Sequence, residues 1–173
     1  MKLHVLSFFL FFSLFQILSA QNRNDSGLNG DEFDFWVGTW DETWDEGEGV
    51  VGKGTNSIQK IMDKKVILEN FEILEGASKG FKGTSISVLS IQSATWKQAW
   101  ADSQGSYLDF EGFVNDNTRG FKTQTVNSKG QKVMARMVIK DIEEDAFTWD
   151  WESSLDDGKT WSLLWRVNYT RKL

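Results

Sequence analysis

The side chains able to do chemistry in this chain sit among tryptophans. Glu42, Asn56, Gln98, Asp102, Tyr169 and Arg171 each fall, by the period-two alternation around them, on the apolar side of a strand-like run. A polar group buried there without a partner costs about 1–3 kcal/mol, so each must bond to a neighbour, to trapped water or to a bound molecule. Trp96, Gln98, Trp100 and Asp102 put two indoles, an amide and a carboxyl on one face of one run; Trp40 and Glu42 join them from the first run and Asn56 from the second. Trp40, Glu42, Asn56, Trp96, Gln98, Trp100, Asp102, Tyr169 and Arg171 therefore form the candidate ligand-binding set. Tryptophan walls with a few convergent polar groups suit a small apolar or amphipathic molecule, with Tyr169 and Arg171 as an anchor if it is anionic. The same residues allow two other uses. Glu42 and Asp102 could serve carbohydrate binding or hydrolysis as an acid–base pair, if they stand at glycosidase separation. Or the groups pair internally, Arg171 with Glu42 or Asp102, in a structural barrel with a filled core.

Absences narrow the chemistry further. The one histidine is His4 and there is no cysteine. Past residue 20, a Ser-His-Asp triad, a cysteine nucleophile and a Cys/His zinc site are all ruled out. Haem ligation through His or Cys is excluded as well, so no cofactor is expected. Asp41, Glu42, Asp45, Glu46 and Glu48 crowd the first hairpin without EF-hand spacing and read as a solvated tip, not a calcium or other metal site. These exclusions favour a non-enzymatic role.

The opening stretch MKLHVLSFFLFFSLFQILSAQ has a basic residue, an apolar run and small residues at Ser19-Ala20, the pattern of a signal peptide over 1–20. Its removal takes His4 and Lys2, shifting the formal net charge from −6 to −7. The expectation is an exported protein, periplasmic or extracellular, with no membrane insertion after cleavage. A net negative chain without a basic block is a poor nucleic-acid ligand. Residues 21–32, polar and rich in Asn and Gly, read as a flexible arm.

The elements that must position the polar set occupy 33–173. Ten strand-like runs, at roughly 33–45, 49–60, 65–74, 80–91, 95–102, 106–114, 119–127, 131–140, 146–153 and 160–172, are separated by Gly, Asn, Asp and Ser clusters. No helical period of useful length appears. Short connections favour a meander, and closure removes its edges. The expected fold is all-β, a single up-and-down antiparallel β-barrel of about ten strands. All nine tryptophans, 36, 40, 44, 96, 100, 149, 151, 161 and 165, read as inward-facing. The third and fourth runs are apolar on both faces and take no orientation from their pattern.

Gly38-Thr39-Trp40 with an inward Arg171 resembles the calycin signature, in which a first-strand Gly-x-Trp packs under an arginine from the last strand. FDFWVGTW (33–40), GTNSI (54–58), LEN (68–70), WKQAW-D (96–102), WESS-DDGKTW (151–161) and Tyr169-x-Arg171 extend that resemblance to calycin-like families related to nitrobindin and the fatty-acid-binding proteins. The resemblance implies a barrel with an interior cavity and no settled activity. Nitrobindin's haem histidine has no counterpart here. The Arg-x-Tyr with which fatty-acid-binding proteins hold a carboxylate appears in reverse order. Ser154 to Trp161, SLDDGKTW, matches the Asp-box S-x-D-x-G-x-T-W. Gly38, Ser154, Asp156, Gly158 and Trp161 are accordingly read as structural, with the Asp157-Gly158 turn at positive φ.

Overall fold

Ten strands pair edge to edge into a closed ring in the computed structural model, which describes residues 27–126 and 129–172; the signal-like stretch and the first half of the arm, 21–26, lie outside them. They are β1 (Gly38–Gly47), β2 (Val50–Ile61), β3 (Val66–Glu75), β4 (Lys82–Ser90), β5 (Thr95–Asp102), β6 (Tyr107–Asn115), β7 (Thr118–Val126), β8 (Lys132–Lys140), β9 (Ala146–Ser154) and β10 (Ser162–Arg171). Each pairs antiparallel with its chain neighbours, and β1 pairs with β10 to close the barrel. The architecture is the all-β, up-and-down barrel that the alternation implies.

The first run is shorter than its pattern suggests. Phe33 and the single 3-10 turn Asp34–Trp36 leave the sheet and fold back as a plug at the end where β1 begins. Phe33 is fully buried, its ring 4.8 Å from Phe121 and 5.1 Å from Trp96. Gly38 makes the corner at φ +147°, and a Cβ there would collide with Arg171 Nη1. Arg171 lies over the Trp40 ring at 4.1 Å. Its guanidinium donates to the carbonyls of Val37, Phe35 and Glu144 and to Asp145 Oδ1. Trp40 Nε1 donates to the Trp36 carbonyl at 2.8 Å. The plug, the first strand and the last strand are thus pinned at one point.

Trp161 faces outward, correcting its inward assignment. Leu163 pairs with Glu152 and Trp165 with Trp151, so Leu164 is an extra residue without a partner. A one-residue bulge flips every side chain on one side of it. Trp165, Val167 and Tyr169 point in; Trp161 and Leu163 point out. Trp161 lies 4.0 Å under the Arg136 guanidinium and donates to the Gly158 carbonyl. The Asp-box turn below it is bonded internally. Asp156 accepts from Thr160 Oγ1 and the Thr160 and Lys159 amides, and Ser154 Oγ accepts from the Gly158 amide at 2.8 Å. The Thr160 contacts, with Ser154's, draw the Asp156 carboxyl down to a pKa of about 2. Asp157 (φ 59°) and Gly158 (φ 83°) supply the positive-φ turn.

Candidate functional site

Mid-barrel, register sets polar residues directly opposite one another. Glu42 on β1 faces Tyr169 on β10, Glu69 on β3 faces Ser85 on β4, and Ser87 on β4 faces Gln98 on β5. All six are buried. Asn56, fully buried on β2, donates from Nδ2 to Glu69 Oε1 at 2.8 Å and to the Tyr169 hydroxyl at 3.3 Å. Ser85 Oγ donates to Glu69 Oε2 at 2.5 Å, and Gln98 Nε2 donates to Ser87 Oγ at 3.0 Å. Four acceptor oxygens in this layer have no partner among the described residues: both of Glu42, Asn56 Oδ1 and Gln98 Oε1.

The electrostatics follow from burial. Desolvation lifts the Glu42 carboxyl to a pKa of about 8, with Tyr169 pulling the other way and Glu69 adding to the rise. Tyr169 and Asn56 act on that carboxyl from nearby without reaching it in well-aligned hydrogen bonds. Burial likewise raises Glu69, against its bonds from Ser85 and Asn56. Burial and the two carboxyls push the Tyr169 phenol well above its ordinary value. Two carboxyls that resist ionisation share one apolar interior.

Above this layer, away from the plug, lies a cavity of about 180 Å³. Its floor is Glu69 and Tyr169; Trp100, Trp149, Trp151 and Trp165 form much of its wall, with Phe71 and Met137 among the rest. Trp149 and Trp151 lie parallel at 6.2 Å, and Trp165 meets Trp149 edge-on at 5.6 Å. Gly83 makes room for Trp100, since a Cβ there would run into the indole. Two wider depressions on the barrel, one over β4–β7 and one over β2–β5, are shallow troughs largely between outward-facing side chains.

The nine candidate binding residues separate into three groups. Tyr169 and Trp100 line the cavity. Glu42, Asn56 and Gln98 belong to the polar layer beside it. Trp40, Trp96 and Arg171 belong to the plugged end. Trp96 Nε1 donates to Glu32 at 2.8 Å, and Arg171 is engaged with Asp145 and three carbonyls, so none of the three meets the cavity. Asp102 ties the β5–β6 turn, accepting from the Gln104 and Ser106 amides and from Trp100 Nε1. Glu42 and Asp102 therefore do not form an acid–base pair across the cavity, and Arg171 pairs with neither. Glu69, Ser85 and Ser87 are additions that the sequence pattern leaves unoriented. The acidic first hairpin is dispersed: Glu42 points in, while Glu46 accepts from Trp44 Nε1 and the Ala77 amide.

No family model matches the chain, and no curated protein does. Solved structures that are similar include a redesigned β-barrel, 10% identical, covering 81% of this chain and 94% of its own with a TM-score of 0.41. So loose a likeness says nothing about function.

Proposed function

We propose that this protein is an exported, non-enzymatic barrel that binds one small apolar or amphipathic molecule in its interior. The observation that carries the reading is the cavity: aromatic walls, a two-residue polar floor, and a position inside the ring. Its size selects the ligand. An apolar cavity of about 150 Å³ holds benzene, so about 180 Å³ suits a molecule with one ring and a short substituent. A long-chain fatty acid or a tetrapyrrole would not fit wholly within that volume. Export rests on the signal-like residues 1–20, and the stacked Trp40–Arg171 seal supports the calycin resemblance.

Titration of the 21–173 chain with one-ring compounds is expected to quench tryptophan fluorescence saturably. Leu108→Trp, which fills the cavity wall, should abolish the quench while the barrel still melts cooperatively. A wild-type protein with no saturable response to any one-ring compound would leave the cavity as a packing defect of a structural barrel.

A further inference from the structure

We propose that the ligand is a small organic cation, a protonated amine bearing one ring, with its ammonium against Glu69 and Tyr169 and its ring among Trp100, Trp149, Trp151 and Trp165. This rests on the cavity being a ligand site and names the chemical class it takes. Three observations converge. First, the polar layer has a surplus of acceptors. Asn56 Nδ2, Ser85 Oγ and Gln98 Nε2 donate to Glu69, Tyr169 and Ser87; the Tyr169 and Ser87 hydroxyls can each donate once more, against four acceptor oxygens, in the layer beside the cavity, that have no partner among the described residues. An ammonium offers three donors and no acceptor, which is the complement of that surplus.

Second, Glu69 is bonded as a carboxylate would be. Asn56 donates to one oxygen and Ser85 to the other, a receiving geometry for an acceptor-only group. Yet no lysine or arginine among the described residues forms an ion pair with Glu42 or Glu69. Burial favours the protonated form of Glu69, and a positive partner that would let it ionise has to come from outside the described residues. Third, indole faces are the best aromatic surface for a cation, and desolvation strengthens the attraction. The cavity is walled by four indoles. A neutral one-ring molecule would use those walls without drawing on the charge Glu69 can develop; an anion would meet two carboxyls and no cation.

The remaining groups facing the two carboxyls are Asn56 from β2, Ser85 and Ser87 from β4, Gln98 from β5 and Tyr169 from β10. Of these only Tyr169 titrates, and its phenol is held above the working range. Burial favours the protonated floor carboxyl and a cation the ionised one, so seating a cation displaces the proton from whatever share of Glu69 holds it. Affinity should rise with pH, by up to about tenfold per unit, until the amine itself deprotonates.

The test compares three compounds of nearly equal size, benzylamine, benzyl alcohol and benzoate, by calorimetry between pH 6 and 9. Benzylamine is expected to bind at least about tenfold tighter than benzyl alcohol at pH 8, releasing a proton whose heat tracks the buffer used. Glu69→Gln should erase that preference, with benzylamine losing far more affinity than benzyl alcohol. Glu42→Gln should reduce it, and serves if Glu69→Gln does not fold. If benzyl alcohol or benzoate binds as tightly as benzylamine, the cation assignment is wrong and the pocket reading stands. If none of the three binds, both fail.

Discussion

Glu42→Gln is expected to leave stability near pH 5 little changed and to raise it at pH 9 by on the order of 4 kcal/mol. Glu42 is buried, both its oxygens lack partners, and its carboxyl titrates near 8 instead of its ordinary 4.5. A group whose folded pKa is raised holds its proton more tightly folded than unfolded. Its contribution is therefore full below the unfolded value and is lost as pH climbs towards the folded one. Over that window each unit corresponds to about 1.4 kcal/mol. Wild-type stability should fall steadily from about pH 4.5 to 8. The glutamine cannot ionise, and its amide brings two donors to an acceptor-rich layer. Glu69, also raised by burial, leaves a residual slope in the same direction. On the acid side the slope reverses. Burial pushes Asp150 up, but the Arg166 fork and Lys140 outweigh it and hold the carboxyl low, so protonation there costs stability. Urea unfolding of both proteins at pH 5, 7 and 9 checks this; parallel curves would show that Glu42 is not the group responsible.

The second large effect is at the seal. Trp40→Ala removes a fully buried indole and should cost about 3–5 kcal/mol. Arg171→Ala should cost about 2–3 kcal/mol, because the cation over the ring is lost and the Phe35, Val37 and Glu144 carbonyls lose their donor. The double variant should cost less than the sum by about 1 kcal/mol or more, since each change already breaks the shared contact. Arg171→Lys should recover little, because one ammonium cannot serve three carbonyls as a planar fork does. Additive losses would mean that the stack contributes nothing beyond each residue's separate packing.

The barrel is legible in the sequence because most of its runs show one apolar face and one polar face. β3 and β4 do not. Ile67, Glu69, Phe71 and Ile73 share the inner face, while Leu68, Asn70 and Leu74 lie on the outer one, and the contrast between faces is too weak to orient the strand. That hides Glu69, the carboxyl on which the polar layer turns; only its register against Ser85 reveals it. Alternation misplaces Trp161 for a related reason. Leu164 is the one apolar residue on an otherwise polar face, and that exception is the trace of the bulge. Phe33 and Trp36 look like strand because a plug made of aromatics carries the same apolar density as a strand; the turn comes from tertiary packing against Phe121 and Trp96. Arg171 and Asp102 are legible as inward or terminal polar groups, but their partners are backbone carbonyls and turn amides, which no alternation can announce.

The ring has one seam, and it sets the order in which the molecule can assemble. Nine of the ten strand pairings join neighbours along the chain and can zip as hairpins. The tenth brings β1 to β10, and Arg171 Nη1 bonds a carbonyl 134 residues away. Loop-closure entropy rises by about 0.6 kcal/mol per doubling of loop length, so this pairing costs roughly 2 kcal/mol more than a hairpin. Until it forms, both β1 and β10 are open edges, the state in which sheets pair with strangers. The expected folding transition state is a curled, unsealed sheet, with the Trp40–Arg171 stack forming after it. Pulse-labelled hydrogen exchange would show this as late protection of the amides joining β1 to β10, after the hairpins between them are already closed.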